Sequence, residues 1–390
     1  MNKSPLKSFG RSTRSERSKY VMYVAVLPDY RREFVTALRR LLPNDLVMIT
    51  SAAHHNRSIK TGISPELYRR VPMVRLGRYF FLQAGGFTSA IAADATVVDL
   101  NPRSLSAWAI LLTRRAVGKR TVLWGHLHSR GGSNSPTAAI RRKMRLLGDG
   151  FISYTITNAT EALTEAPQQG VWVATNALYS QKQLIERMTD KGSTPGQRTD
   201  FLYVGRFEPP KKVDVAVRAF ALLAQENAEY RLVLIGDGSE RKNLQRLVEA
   251  QGLDGRVVFG GWQSSFDQIA AAYSTAIAGL SPGFAGLGVT QSLGFGVPII
   301  VSTHEPHSPE IELKESGGVH WFATDDEADL AHKMRELAEQ RFSLPSTALI
   351  RHVFERYTAE SMAAGVKAAL ENNRTYAVSS GAMIEEDTNE

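Results

Sequence analysis

Cysteine is absent from the 390 residues. That excludes a disulfide framework, a thiolate metal site and a cysteine nucleophile, and it fits a reducing, cytoplasmic setting. Long apolar runs are missing too. The longest candidates are short stretches such as AWAILL at 107–112, far below the roughly 20 residues of a membrane-spanning helix, so no bilayer crossing is expected. There is no nucleic-acid recognition motif and no patch of stacking aromatics, which argues against a nucleic-acid partner despite a net charge of +8.

What is present is an ordinary globular composition, 43% hydrophobic and 22% charged, in a chain long enough for two well-packed domains. The charge is unevenly placed. Residues 1–19 carry Lys3, Lys7, Arg11, Arg14, Arg17 and Lys19 against Glu16, with few apolar residues, so they read as a disordered basic arm. Such an arm serves either as a solubilising tail or as a peripheral contact with the anionic inner face of a membrane. The opposite end, 372–390, is a polar tail closed by Glu385, Glu386, Asp387 and Glu390.

Between these tails, strand-like and helix-like patterns alternate. Apolar runs at 20–27, 96–100, 121–124, 151–156 and 171–174 suit buried parallel strands, and helical patterns separate them. The helix expected over 104–117 should bury Leu105, Trp108, Leu111 and Leu112, with Gly118 just past its end. Residues 190–199, DKGSTPGQRT, are polar and broken by glycine and proline, as an exposed linker is. A second series of strands is expected at 201–204, 231–235, 257–259, 276–280 and 298–301, and a last helix over 346–371. Two such series predict an α/β chain of two Rossmann-like domains, 20–189 and 200–345, whose parallel sheets face one cleft.

Ligands of open parallel sheets bind beyond the carboxyl ends of the strands. In the second half, GRFEPPKK at 205–212 places Arg206 directly after a strand and Lys211 five residues later. Arginine offers a bidentate fork and lysine a mobile charge, so the pair suits a diphosphate; the alternative is two solvated surface charges. IGDGSE at 235–240 is a glycine-rich turn with Ser239 as helix cap, a pattern that often has a purely structural role. A glycine-rich loop within 281–300 leads into a short helix whose first amides favour an anion.

The order of YVGRF with Lys211, LVLIGDGSE, VVFGGW and SLGFGVPIIVS resembles the family 4 retaining glycosyltransferases of GT-B fold. NPRSL at 101–105 and LWGHLHSR at 123–130 resemble bacterial surface-polysaccharide members of that family. The resemblance implies that 20–189 is the acceptor side and 200–345 the nucleotide-sugar-binding domain, and that the helix over 346–371 packs back toward the first. It assigns Arg206 and Lys211 to the donor diphosphate, Gly286, Leu287 and Gly288 to backbone contacts with the donor, and 257–262 to the region of the base. His126 matches a cleft histidine that approaches the transferred sugar. Two glutamates of the family pattern, seven residues apart, are here Gly283 and Gln291. Gln291 retains hydrogen bonding toward ribose without charge, and Gly283 offers only backbone.

The function implied is transfer of a sugar from a nucleotide-diphosphate sugar to a hydroxyl of a glycan or lipid-linked acceptor, with retention and without a metal or other cofactor. Another nucleotide-sugar enzyme of this fold, an epimerase or hydrolase, and an inactive nucleotide-sugar-binding relative are the alternatives. Other candidates carry less. His304, Glu305 and His307 lack metal-binding spacing, Asp325, Asp326 and Asp329 read as first-turn helix acids, and His54 and His55 read as surface loop. Arg141, Arg142, Lys143 and Arg145 read mainly as the solvated face of a helix.

Overall fold

The computed structural model describes residues 18–54, 60–129, 131–132, 135–189 and 198–374. Most of the basic arm, most of the acidic tail, residues 190–197 of the expected linker and His55 lie outside these residues.

The first half builds strands β1 (Tyr20–Tyr23), β2 (Leu46–Thr50), β3 (Arg69–Arg70), β4 (Met73–Leu76), β5 (Phe80–Gln83), β6 (Ala95–Asp99), β7 (Arg120–Trp124), β8 (Gly150–Ser153) and β9 (Gly170–Val173). Seven of them form a parallel sheet ordered β3-β2-β1-β6-β7-β8-β9, while β4 and β5 make a separate antiparallel hairpin. The second half contributes β10 (Asp200–Val204), β11 (Arg231–Ile235), β12 (Val257–Gly261), β13 (Ala276–Ser281), β14 (Ile299–Ser302) and β15 (Val319–Phe322). Their order is β12-β11-β10-β13-β14-β15, all parallel. Both orders are Rossmann-like, with the direction of strand addition reversing beside β1 and beside β10.

Alternation along the strands explains why these runs are continuously apolar. Tyr20 and Met22 face one core and Val21 and Tyr23 another; likewise Phe201 and Tyr203 face one side of the second sheet and Leu202 the other. Helices cover both faces of each sheet, so neither side of a central strand meets water.

Several local expectations are corrected. The strand expected over 20–27 ends at Tyr23, because the Ala25 N–H turns to the Asp99 Oδ2 at 2.6 Å. The helix Leu105–Ala116 buries Ala107, Ile110, Leu111 and Arg114, while Leu112 is exposed and Leu105 and Trp108 are half-buried. The face is rotated because Arg114 turns inward, donating to the carbonyls of Ala90 at 2.7 Å, Ile91 at 2.9 Å and Ala93 at 2.9 Å. The single helix expected over 346–371 is two, Thr347–Arg356 and Ala359–Glu371, broken where Thr358 caps the second through the Ser361 N–H.

That last helix lies on the first sheet. Its Gly365 packs so tightly that a β-carbon there would stand 2.0 Å from the Val173 carbonyl oxygen. Arg120 donates to the Ala369 carbonyl at 2.8 Å and the Trp172 indole to the Asn373 carbonyl at 2.8 Å. A second link between the halves comes from the 3-10 segment Pro309–Ser316. Its Glu312 accepts from the amides of Ile156 at 3.3 Å and Thr157 at 3.1 Å, at the start of the helix Ile156–Glu165, and from the Tyr357 hydroxyl. A carboxylate at a helix N-terminus is electrostatically favourable, so this contact ties the two sheets to one cleft.

Candidate functional site

The carboxyl ends of both sheets open onto a cleft of about 2510 Å³, several times the volume that encloses a drug-sized ligand. His126, Arg206, Lys211, Gly286, Leu287, Gly288 and Gln291 all line it. The folded chain therefore gathers these seven nominated residues, and of the segment 257–262 it brings Trp262 to the same cleft.

The second-domain wall is built on the turn after β10. Arg206 is half-buried there, and its backbone carbonyl accepts from the Tyr203 hydroxyl at 2.9 Å. The two glycines of IGDGSE support this turn. A β-carbon at Gly236 would stand 1.8 Å from the Gly205 carbonyl oxygen, and one at Gly238 2.3 Å from that of Phe207. Their role is close backbone approach. Ser239 does not cap the following helix Arg241–Ala250: Glu240 holds the cap position, and the Ser239 hydroxyl donates to Glu208 at 3.1 Å.

Lys211 ends the short 3-10 turn Pro209–Lys211. Its ammonium donates to the Phe284 carbonyl at 2.7 Å and lies 4.6 Å from the Phe284 ring centroid. The loop after β13 is thus held against it, and the Phe284 N–H returns a bond to the Pro210 carbonyl at 2.9 Å. Gly283 sits inside this contact, where a β-carbon would meet the Pro210 carbonyl oxygen at 2.4 Å. No glutamate fits there without moving one of the two loops. Beyond it, Gly286 and Leu287 lead into the helix Gly288–Gly294. The Gln291 amide nitrogen donates to the Tyr179 hydroxyl at 2.9 Å.

His307 completes this wall. Its Nδ1 accepts from the Ala285 N–H at 3.1 Å and its Nε2 donates to the Ser302 carbonyl at 2.8 Å. Burial holds its pKa below the ordinary histidine value, assisted by the charge of Lys211. A neutral ring with Nε2 protonated is what both bonds require. The nearby Glu305 pairs with Lys212 at 2.6 Å, and Lys212 also meets Asp325 at 2.7 Å. No group of three metal-ligating side chains occurs among the described residues. Asp326 accepts from the Asp329 N–H at 2.9 Å as the cap of the helix Glu327–Glu339, in line with the capping expectation for these two acids, while Asp325 lies before the cap and pairs with Lys212 instead.

The first-domain wall faces it. His126 follows β7 by two residues, its ring 4.8 Å from that of Tyr154. The Arg31 guanidinium lies 5.3 Å from the Tyr154 ring and 5.6 Å from that of Trp124, within cation–π range. Asp99 ends β6 at the point where strand order reverses. Burial raises its carboxyl to about 7, against the stabilising Ala25 N–H bond. Across the domain boundary, the fully buried Glu310 accepts from the Asn176 side-chain amide.

Two first-domain expectations change. His54 is half-buried and lines the cleft, with its ring 5.6 Å from Phe81, instead of lying on a surface loop. The basic helix Ala138–Leu147 is not a uniformly solvated face. Arg141 donates to the carbonyls of Leu100 at 2.6 Å and His126 at 3.2 Å, while Arg145 is buried and bonded to Glu165 and Gln169. Their spacing of four residues puts both on the inward side, where carbonyls and a carboxylate satisfy their charge.

Asp99, Glu310 and Tyr179 escaped the sequence reading, and His307 entered it only as a metal-ligand candidate that its spacing excludes. For Asp99 the signal was available, since it ends a strand at a sheet's reversal point. The other three owe their positions to contacts between distant segments.

Residues 185–351 match the family model for glycosyl transferases group 1. The chain is 30% identical over 140 residues to the lipopolysaccharide core biosynthesis glycosyltransferase LpsE of Rhizobium meliloti, covering 36% of each chain. It is 34% identical over 108 residues to the lipopolysaccharide 1,6-galactosyltransferase of Salmonella typhimurium, covering 26% of this chain and 29% of the relative. The match thus spans about a third of the length of these relatives. Among solved structures, sucrose-phosphate synthase from Thermosynechococcus elongatus superposes with a TM-score of 0.63 at 17% identity, over 91% of this chain and 98% of that one. Anabaena HepE in complex with UDP gives 0.62 at 13% identity, over 91% and 100%. The chain has the GT-B fold, and the part of it that matches the glycosyl transferases group 1 model, residues 185–351, carries Arg206, Lys211 and Gln291.

Proposed function

We propose that this protein transfers a sugar from a nucleotide-diphosphate sugar to a hydroxyl of a glycan or lipid-linked acceptor, with retention at the anomeric carbon, in polysaccharide biosynthesis. One observation carries the reading: Arg206, Lys211 and the turn Gly286 to Gly288 share one wall of a cleft whose other wall presents His126. The lipopolysaccharide glycosyltransferases among the relatives and the UDP-bound neighbour support the substrate classes.

In this reading, Arg206 and Lys211 neutralise the diphosphate as it departs, and the Gln291 side-chain oxygen accepts from a ribose hydroxyl. His126 faces the transferred sugar. The bond from the anomeric carbon to the diphosphate oxygen breaks while the acceptor oxygen bonds to that carbon on the same face. The acceptor proton passes to a phosphate oxygen. Fixed positive charge and positioning supply the catalysis, and no metal or cofactor enters the step. Peripheral placement at the cytoplasmic face of a membrane belongs to the same proposal.

Incubating the protein with UDP-, GDP- and dTDP-sugars, with and without a glycan acceptor, tests it. Nucleotide release that depends on acceptor supports transfer. Conversion of a donor alone points to an epimerase or hydrolase, and binding with no turnover points to an inactive relative.

A further inference from the structure

The hairpin of β4 and β5 has its polarity inverted. Its register pairs Val74 with Leu82 and Leu76 with Phe80 on one face, and Met73 with Gln83 and Arg75 with Phe81 on the other. The second face turns inward: Phe81 and Gln83 are buried, the Phe81 N–H donates to the Arg103 carbonyl at 3.1 Å, and the Gln83 N–H to the Ser106 hydroxyl at 2.6 Å. The outward face of a hairpin is ordinarily polar. Here Val74 is 43% exposed, Leu76 42% and Phe80 46%, and Tyr79 at the tip is 57% exposed.

The segment that carries this apolar face is strongly basic. Arg69, Arg70, Arg75 and Arg78 are all exposed, and no aspartate or glutamate occurs between Glu66 and Asp94. A second copy of the chain is a poor occupant, since a two-fold contact would bring both sets of arginines together. An anionic lipid surface suits every part. The aliphatic and aromatic side chains enter the headgroup boundary, the tyrosine sits at the interface, and the arginine stems lie along apolar groups while their heads meet lipid phosphate.

We propose that this hairpin docks the protein on an anionic bilayer through Val74, Leu76, Tyr79 and Phe80, with Arg78 at its tip and Arg69 and Arg70 just before it supplying the electrostatic attraction. Its base adjoins the cleft, because Arg103 and His54, which line the cleft, contact Phe81. Docking therefore brings the first-domain rim of the cleft to the lipid surface. That last consequence rests on the proposed transfer to a lipid-linked acceptor; the docking itself does not.

Co-sedimentation of the full chain with vesicles of roughly 3:1 phosphatidylcholine to phosphatidylglycerol tests the docking without donor or acceptor. The native chain should bind, and lose binding in about 0.5 M salt. Leu76→Ser with Phe80→Ser should weaken partition at least about tenfold. Arg70→Gln with Arg78→Gln should weaken it about twenty-fivefold, at roughly fivefold per charge. All four side chains are exposed, so the melting temperature and nucleotide release with a soluble acceptor should stay at native values. Failure of the native chain to bind the vesicles overturns the proposal. So does native-level binding by both variants, which would assign the contact to the basic arm. Lipid-free dimerisation that Leu76→Ser with Phe80→Ser abolishes would also overturn it, giving the face to a second copy.

Discussion

Gly283 and Pro210 approach so closely that a β-carbon on the glycine would stand 2.4 Å from the proline carbonyl oxygen. A glutamate, which the resemblance to family 4 would put at this position, does not fit here: the loops carrying Lys211 and Phe284 are zipped together at this point. Gly283→Glu is expected to lower turnover and stability together. Overpacking of this kind costs about 1–3 kcal/mol, and at roughly 2–4 °C per kcal/mol the melting temperature should fall by several degrees. A variant more active than the native protein would show that the loops separate freely.

Arg206 and Lys211 should separate by mechanism. Arg206 lines the cleft, and no side-chain hydrogen bond or ion pair of it occurs among the described residues. Arg206→Ala should therefore cut the chemical step about 10²–10³-fold, as loss of a transition-state charge contact does, with an unchanged melting temperature. Lys211→Ala also releases the Phe284 carbonyl, so donor KM should rise as well as kcat fall. Steady-state kinetics of both variants decide this, and near-native rates in either would remove the diphosphate assignment.

His307 links loop geometry to pH. Its folded pKa lies below the ordinary value, so the neutral ring contributes stability that is present above pH ~6.5 and lost as pH falls through the folded pKa. Protonation also removes the acceptor that holds the Ala285 N–H. Donor KM should climb as pH falls through the folded pKa, below the ordinary histidine value. His307→Phe should show a raised KM at every pH with this rise gone; retention of the native pH profile in that variant would assign it to another group.

Asp99 runs in the opposite direction. Its carboxyl is raised to about 7 by burial, above the ordinary 3.8. The folded state thus holds this proton more tightly than the unfolded chain. Its contribution to stability is present in acid, declines as pH rises between those two values, and is constant above them. Asp99→Asn keeps an oxygen for the Ala25 N–H but never ionises. The melting temperature of the variant, measured against the native protein, should rise from pH 5 to pH 8. Parallel pH curves would place the Asp99 pKa near its ordinary value.

The strands of both sheets were largely legible because they are buried on two faces and read as continuous apolar runs. Arg231–Ile235 lies where the pattern puts it, and most others differ by a residue or two at an end. Strands Leu46–Thr50 and Val319–Phe322 were missed, although Pro43-Asn44-Asp45 and Gly317-Gly318 mark a turn before each. The two-residue Arg69–Arg70 and the inverted hairpin have no strand-like polarity pattern at all. Helix facing was harder. Leu112, expected inside, is exposed while Arg114 is buried, because an arginine can be buried when carbonyls and a hydroxyl from other segments satisfy its donors, and those groups are not visible in a local pattern.

The same division holds at the cleft. Arg206, Lys211, His126 and the glycine turn stand at strand ends, and strand ends are readable from alternation and spacing in one chain segment. The sequence by itself thus determined which side chains the two sheets offer to a common cleft. The tertiary structure alone decided how they are held. Lys211 is committed to Phe284, Gln291 to Tyr179 and His307 to Ala285, and Glu312 caps a helix of the opposite domain. These contacts join residues from 22 to 155 positions apart, and their energies depend on distances that exist only once both sheets have packed.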